Sequence, residues 1–329
     1  MMDLTCSSMF LGGETLKQAK PLLQHLNHHN IKTIIDLANE GENTNPKKTF
    51  DAIIKLIQDA GHYPEITGIA IKISGLTDHK TLREWHNNTP QLEINKTELL
   101  AKVDALAQLA KNNNQTLYID AEQYPIQLAI NDICRSLMKK FNTNQTPVVY
   151  TTHQTYLKDS IKSLENDIVW AKDNGISFAT KLVRGAYYEE TFALSPNKPL
   201  VFETKPETDT SFNQAIKRCA EENIHCLVAT HNSDSLKILE NLKQTHSLET
   251  TQTAQLLGMR DDLTFNTTAH SPRKYVPIGK PKNGAREYFG RRIIENSSAL
   301  SGAPIEVSTR VVELTQRIND IFNINRQKA

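Results

Sequence analysis

The sequence predicts an α/β fold, specifically a distorted (β/α)8 barrel of the TIM type, and three observations support this prediction. Short runs rich in β-branched residues alternate with longer amphipathic stretches. Eight such units occupy about 270 residues, which fits a closed barrel better than a doubly wound sheet. The predicted strands end in polar or charged residues such as Asp36, Lys72 and Asp120. A barrel places its functional side chains at those ends.

Eight segments are predicted as strands because each combines β-branched residues with helix or turn signals on both sides. They are residues 31–37, 66–74, 115–121, 147–152, 177–184, 224–231, 253–259 and 273–279. Helical patterns lie between them, including one that starts at Lys96 and one that starts at Leu157 and ends at Gly175 as a C-cap. The longest irregular segment, residues 195–206, follows the fifth strand, where a barrel keeps an active-site loop.

Three regions are expected along the chain. Residues 1–30 form a helical lead-in, residues 31–310 form the barrel, and residues 311–329 form a helical tail. The last barrel helix, which includes residues 286–298, is expected to lie over the barrel mouth. The long irregular segment and this helix would then border the same functional site.

Composition excludes several classes of protein. The 329 residues contain 38 Lys plus Arg against 37 acids, so no overall charge would draw the chain to nucleic acid or to an anionic membrane. Four cysteines without a CxxC pair indicate reduced thiols. No apolar run approaches the roughly 20 residues of a membrane-spanning helix, and the N-terminus lacks the pattern of a signal peptide. A cytoplasmic protein is therefore expected.

The stretch KLVRGAYYEE, residues 181–190, concentrates charge at the end of the fifth predicted strand. Strand alternation would place Lys181, Gly185 and Tyr187 on one face and Arg184 on the other. The glycine would let a flat group approach the backbone, and Lys181 could stabilise developing negative charge. The alternative is a strand that ends in a turn, with both cations in structural ion pairs.

A second cluster, REYFGRRIIENSS at residues 286–298, carries adjacent Arg291 and Arg292 with Glu295 one turn further on. Paired guanidinium groups at a barrel mouth indicate recognition of a small carboxylate. The alternative is an exposed helix face with an ordinary Arg–Glu pair. Three histidines, His25, His28 and His29, share a helix face without a nearby carboxylate or cysteine, so no metal site is predicted.

Together these motifs resemble the proline dehydrogenase family over about residues 10–300. The matching segments, in the family's order, are GETLKQAKPLLQHL, IAIKIS, YIDAEQ, HQTYLKD, KLVRGAYYEE, VATHNSDSL, QLLGM, KYVPIG and YFGRRIIENSS. The resemblance implies a distorted barrel that binds FAD without a Rossmann glycine fingerprint. The sequence indeed lacks GxGxxG.

The resemblance also implies roles for the residues at matching positions. Asp120 and Lys181 would be catalytic, with Lys181 beside the flavin N5. The substrate would be bound by Lys72, Tyr187, Tyr275, Arg291 and Arg292. The FAD contacts would be Ala121, Gln154, Lys181, Arg184, Gly185, Ala186, Thr230, His231 and Glu295. Lys181 stands where many members of the family have arginine, which implies an altered flavin potential rather than loss of activity.

The activity implied by the resemblance is oxidation of L-proline to Δ1-pyrroline-5-carboxylate by hydride transfer to FAD N5, the first step of proline catabolism. Electrons would pass to a quinone, and a pyrroline-5-carboxylate dehydrogenase would be the partner for the product. A peripheral position at the inner face of a respiratory membrane, or a mitochondrial location in a eukaryote, follows as an expectation. The bulky ring of Tyr275 favours proline over hydroxyproline.

Two other functions remain open from the residues themselves. A barrel without a cofactor could bind an amino acid as a sensor, keeping the arginine pair but not the flavin. An aldolase-type barrel could use Lys181 as a Schiff-base amine. The sequence contains neither GxSxG nor GxxxxGK[ST], which weakens serine-hydrolase and nucleotide-hydrolase interpretations.

Overall fold

Eight parallel strands close into a barrel in sequence order, with the first strand paired to the last. The computed structural model describes residues 10–38, 45–266 and 271–279. The strands are β1 (Lys32–Leu37), β2 (Ile66–Ile71), β3 (Thr116–Ile119), β4 (Val149–Gln154), β5 (Ala179–Val183), β6 (His225–Ala229), β7 (Thr251–Leu256) and β8 (Pro272–Ile278). The predicted barrel is confirmed, and each predicted strand overlaps an observed one. The helix expected over the mouth lies outside the described residues.

Helices lie between successive strands and precede the first one. Those in the described ranges are α1 (Leu16–His28), α2 (Pro46–Ala60), α3 (His79–Arg83), α4 (Pro90–Asn112), α5 (Tyr124–Phe141), α6 (Ser160–Asp173), α7 (Tyr188–Leu194), α8 (Lys205–Glu221), α9 (Ser233–Leu242) and α10 (Asp261–Asn266). A short 3-10 turn, Ile73–Gly75, follows β2. No helix in these ranges is both long and apolar enough to span a bilayer.

Local signals explain where the helices begin and end. Helix α4 begins at Pro90, earlier than the predicted start at Lys96, because Thr89 caps its N-terminus and proline is favoured in a first helical turn. Helix α8 begins with a capping box in which the side chains of Thr204 and Glu207 each bond the other's backbone N–H. Gly175, just beyond α6, has φ +64°, the left-handed conformation expected of a C-capping glycine.

The barrel interior is filled by one side chain from each strand. This layer consists of Ile34, Ala70, Tyr118, Tyr150, Ala179, Leu227, Ala254 and Tyr275. Three alanines, on β2, β5 and β7, leave space for the aromatic rings of β3, β4 and β8. At Gly68, a Cβ atom would lie 2.5 Å from the Tyr118 ring, which explains the absence of a side chain there. A second and larger core lies between the outer faces of the strands and the helices.

The region expected as a lead-in contains α1, which packs directly on the barrel. Leu16, Leu23 and Leu26 are buried in the outer core, and the helix contacts β1 and β8. The preceding backbone joins the sheet as well, because Gly12 N donates to Pro277 O at 2.9 Å. The tail expected at residues 311–329 lies outside the described residues.

Candidate active site

A cavity of about 730 Å³ opens at the carboxyl ends of the strands. Every predicted site residue within the described ranges lines it: Lys72, Asp120, Ala121, Gln154, Lys181, Arg184, Gly185, Ala186, Tyr187, Thr230, His231 and Tyr275. Strand ends bring these residues together although they span more than half of the sequence. Arg291, Arg292 and Glu295 lie outside the described residues, so their place at the mouth stays a prediction.

Asp120 is the centre of the charged cluster in this cavity. It follows β3, and its backbone N–H bonds Ile71 O at 2.9 Å. Its Oδ1 forms an ion pair with Lys181 Nζ, and its Oδ2 accepts a hydrogen bond of 3.0 Å from Tyr275 OH. Burial alone would raise the pKa of Asp120, but the charges of Lys181 and Lys72 and these hydrogen bonds hold that pKa below its ordinary value. Asp120 is therefore an anion at neutral pH.

Lys72 stands between two carboxylates. Its Nζ lies 3.7 Å from Asp120 Oδ2 and 3.8 Å from Asp36 Oδ2. Asp36 is the last residue of β1 on the interior face and also lines the cavity. In the sequence, Asp36 is a lone carboxylate at a strand end, which is equally typical of a solvated loop, so no role is predicted for it. The geometry shows that it shares the charge of Lys72.

Lys181 lies 5.5 Å from the centroid of the Tyr275 ring, within range of a cation–π contact. Tyr275 thus contacts both members of the Lys181–Asp120 ion pair, one through its ring and the other through its hydroxyl. With only 9% of its surface exposed, the ring has a fixed position in the cavity wall.

Arg184 also faces the cavity, so the predicted placement on the face opposite Lys181 is wrong. Strand alternation ends with β5 at Val183, and the chain turns at Gly185 with φ +132°. Arg184 then donates to Asp209 at 2.6 Å, Thr230 Oγ1 at 2.8 Å and Ser235 Oγ at 3.0 Å. The sequence offered no signal for Asp209, because its spacing from Lys205 resembles an ordinary surface pair on a helix.

The aromatic ring closest to Gly185 is the side chain of Tyr156. A Cβ atom at Gly185 would lie 1.7 Å from Cε1 of Tyr156. The expected reason for this glycine was the approach of a flat ligand. The described contacts instead require it for the Tyr156 ring and for the positive φ. Tyr156 OH in turn lies 3.3 Å from Thr191 Oγ1, which links this wall to α7.

His231 is oriented by β7. Leu256 N donates to His231 Nε2 at 3.0 Å, so this nitrogen carries no proton, and Arg260 Nη1 donates to His231 O at 3.1 Å. On the other side of the cavity, Gln154 Nε2 donates to Glu122 O at 2.9 Å. These bonds fix two of the walls that the family resemblance assigns to the cofactor.

The volume and the lining of the cavity suit a flavin dinucleotide. Its volume lies in the range of cofactor sites, about 300–1,000 Å³. Leu227, Ala229, Leu256 and Met259 offer apolar surface to a flat ring system, while Lys181 and Arg184, each ion-paired with a carboxylate, offer N–H donors for anionic groups. In the described part of the chain, no three His, Cys, Asp or Glu side chains converge as metal ligands.

These features define the class of the protein: a (β/α)8 barrel with a charged, cofactor-sized cavity at its mouth. Comparison with known proteins identifies the family. The proline dehydrogenase family model matches residues 19–303, and the chain belongs to this family of oxidoreductases.

Relatives of known function show the range of the family. The carbapenem antibiotics biosynthesis protein CarD of Pectobacterium carotovorum subsp. carotovorum is 29% identical over 95% of this chain and 84% of its own length. Human mitochondrial proline dehydrogenase 1 is 31% identical over 70% of this chain, which spans only 40% of that protein. Human hydroxyproline dehydrogenase is 24% identical over 94% of this chain and 80% of its own length.

Solved structures confirm the fold. Proline utilization A from Bdellovibrio bacteriovorus, inactivated by N-propargylglycine, aligns with a TM-score of 0.78 and 19% identity. The alignment covers 88% of this chain and 32% of that protein. A D778Y mutant of the Bradyrhizobium japonicum protein aligns with a TM-score of 0.71 and 22% identity, over 88% of this chain and 30% of its own.

Proposed function

We propose that this protein is an FAD-dependent L-proline dehydrogenase that produces Δ1-pyrroline-5-carboxylate. The observation that carries the proposal is the cluster of Asp120, Lys181, Lys72 and Tyr275 in a cavity with room for a cofactor beside a small substrate. Membership of the family supplies the reaction class. FAD, when bound, would accept the two electrons and the hydrogen of the substrate C–H bond, while the lone pair of the ring nitrogen forms the C=N bond and the nitrogen releases its N–H proton to solvent.

The protein residues bind and orient the reactants in this proposal. Lys72 would contact the substrate carboxylate, together with Arg291 and Arg292, whose role remains a prediction from sequence. Lys181 would place positive charge beside the cofactor ring as electrons arrive. Asp120 holds Lys181 and Tyr275 in place through its two oxygens. Thr230, His231, Gln154 and Arg184 would hold the cofactor.

Tyr275 favours proline as the substrate over hydroxyproline. Its hydroxyl is fixed on Asp120, so the ring has little freedom to move aside for an added hydroxyl group on the substrate. A different substrate remains the second candidate, because one relative is a hydroxyproline dehydrogenase and another is CarD. A quinone acceptor, a pyrroline-5-carboxylate dehydrogenase partner and a cytoplasmic or membrane-peripheral location belong to the proposal as family expectations.

The Schiff-base alternative is less compatible with the geometry. A lysine that attacks a carbonyl must be a neutral amine. Lys181 Nζ is instead ion-paired with the Asp120 carboxylate. Burial would raise the pKa of Asp120, but the charge of Lys181 is the largest of the effects that lower it. The cofactor-free sensor differs from the dehydrogenase in that it would bind no flavin.

The test measures flavin absorbance of the purified protein after addition of FAD, and then dye-coupled oxidation of L-proline and of trans-4-hydroxy-L-proline. We expect a bound flavin spectrum and a higher kcat/KM for L-proline. Lys72→Met should raise the KM for proline about tenfold or more with a smaller effect on kcat. Lys237→Met is the control, because Lys237 is an exposed lysine of α9 paired only with Asp234 in the described residues. A protein that binds no flavin would end the proposal.

A further inference from the structure

A directional chain of hydrogen bonds starts from a buried lysine behind the mouth of the barrel. Lys274 lies on the outer face of β8, next to Tyr275 of the inner face. Lys274 Nζ donates to Thr264 Oγ1 at 2.9 Å, and Thr264 Oγ1 donates to Gln255 Oε1 at 3.0 Å. Gln255 Nε2 donates to Thr230 O at 3.1 Å. The chain therefore connects β8 to the end of β6 through α10 and β7.

The same loop also holds Lys274 directly. Lys274 Nζ donates to Met259 O at 3.1 Å and to Asp261 Oδ1 at 2.5 Å. Arg260, between these two residues, has φ +46° and donates to His231 O. The lysine thus fixes the segment that contacts His231, as well as the chain that ends at Thr230.

Each link in this chain is shielded from water. Lys274, Thr264 and Gln255 each expose only 1% of their surface. Burial lowers the pKa of Lys274, while the hydrogen bond and charge of Asp261 oppose that change. Burying an ammonium group costs desolvation free energy, and apolar residues of similar volume are often at least as stabilising. Such a cost is consistent with a requirement for position rather than for packing alone.

The residues at the end of the chain belong to the cavity wall. Thr230 and His231 both line it, and Thr230 Oγ1 accepts a 2.8 Å hydrogen bond from Arg184 Nη1. A shift of the Thr230 carbonyl would move the hydroxyl that orients Arg184. The position of Lys274 is therefore coupled to three residues that would contact the cofactor.

We propose that Lys274 is a positioning residue that sets the Thr230–His231 wall of the cofactor site through Thr264 and Gln255. This inference rests on the proposed function, since FAD is the ligand that this wall would hold. Lys274 itself lies on the far side of β8 and does not line the cavity; it reaches the site through this chain and through its bond to the backbone of Met259. Its loss should weaken cofactor binding by loosening the wall.

The experiment compares two variants that interrupt the chain at different links. Lys274→Met removes the ammonium group and keeps an unbranched side chain. Thr264→Val is nearly isosteric, leaves Lys274 bonded to Met259 O and Asp261, and keeps the test open if the lysine variant fails to fold. For each variant, the FAD dissociation constant is measured by flavin fluorescence. Amide hydrogen exchange is measured over residues 227–232 without added FAD.

A stability control separates positioning from general destabilisation. Asn142 makes three side-chain hydrogen bonds at the opposite end of the barrel, the first two of them buried: to Val149 O, from Val149 N and from Val148 N. Asn142→Ala therefore removes as many buried bonds as Lys274→Met does. It should lower the Tm without changing FAD affinity or exchange at residues 227–232.

We expect both chain variants to raise the FAD dissociation constant about tenfold, the effect of one well-placed hydrogen bond, and to accelerate exchange at residues 227–232. A folded Thr264→Val protein with unchanged affinity and unchanged exchange would overturn the inference. If the unaltered protein binds no FAD, the proposed function fails. In that case, amide hydrogen exchange at residues 227–232 in the two variants still tests whether Lys274 positions this wall.

Discussion

At the scale of single residues, lysine at position 181 has a consequence for Asp120. A lysine is a point charge and occupies one carboxylate oxygen, Oδ1, which leaves Oδ2 for Tyr275 OH and for the more distant Lys72. An arginine fork would tend to engage both oxygens and compete with the tyrosine. The single bond from Lys181 therefore leaves Asp120 free to hold the Tyr275 side of the cavity wall.

Gly185 should tolerate alanine much less well than Gly175 does, although both have positive φ. At Gly185 an added Cβ meets the Tyr156 ring, whereas at Gly175 nothing lies within 4 Å. We expect Gly185→Ala to lower the free energy of unfolding by about 2–6 kcal/mol, from strain plus overpacking. Gly175→Ala should cost about 1–2 kcal/mol from the left-handed conformation alone. Urea titration measures both, and equal costs would show that the Tyr156 contact is unimportant.

The site residues at the ends of strands could be predicted from the sequence, whereas Asp209, which lies on a helix, could not. Asp120 and Thr230 follow buried strands and Lys181 lies near the end of one, and the parallel strands of a barrel bring their ends to one rim. Asp209 reaches Arg184 from α8, and the direction of a helical side chain depends on how the helix packs on the barrel. Tyr156 lies in the segment HQTYLKD, but its contact with Gly185 depends on a loop conformation that the periodicity of the sequence does not encode.

At the scale of elements, the strands could be predicted more reliably than the helix ends. A strand buried on both faces is a short apolar run with few alternatives, as in β2 and β6. The start of α4 was predicted six residues late because Gln91 to Asn95 contain only two apolar residues, and the Thr89 cap and Pro90 carry the signal instead.

One link between elements makes a prediction about pH. Glu122, just after β3, accepts hydrogen bonds from both the backbone and the hydroxyl of Ser74 in the turn after β2. Burial raises the pKa of Glu122 above 4.5, although the Ser74 bonds oppose the change. The folded state therefore binds a proton more readily than the unfolded chain, and stability falls as pH rises from about 4.5 through the folded pKa.

Glu122→Gln should consequently raise the Tm at pH 7 to 8, because it removes a buried charge and keeps an acceptor for Ser74 N. The gain should shrink below pH 4.5, where the native carboxyl is protonated in both states. Glu98→Gln on α4 is the control, because Glu98 is exposed and pairs with Lys102 on the same helix. Calorimetry across this pH range measures both. A loss of Tm at neutral pH would show that the Ser74 bonds need a full negative charge.

At the scale of the whole molecule, the seam between β1 and β8 decides whether the barrel closes. The two strands pair over six residues, from Lys32 with Arg273 to Leu37 with Ile278. Chain on both sides of β1 supports the seam, since Gly12 N bonds Pro277 O and Ala38 N bonds Ile278 O, each at 2.9 Å. The segment before β1 therefore behaves as part of the barrel wall and brings α1 against it.

Leu23 tests whether α1 and the barrel unfold together. Its side chain is fully buried in the outer core, whereas Leu128 on α5 is 66% exposed. Leu23→Ala should lower the free energy of unfolding by about 2–5 kcal/mol in a single transition, because a cavity opens beneath the β1–β8 seam. Leu128→Ala makes the same chemical change on a helix and should cost less than about 0.5 kcal/mol. Urea unfolding is followed by tryptophan fluorescence from Trp85 and Trp170, which lie far from α1 in sequence. If α1 were an independent lead-in, Leu23→Ala would not change the urea concentration at the midpoint of this transition. That result would show that α1 does not stabilise the β1–β8 seam.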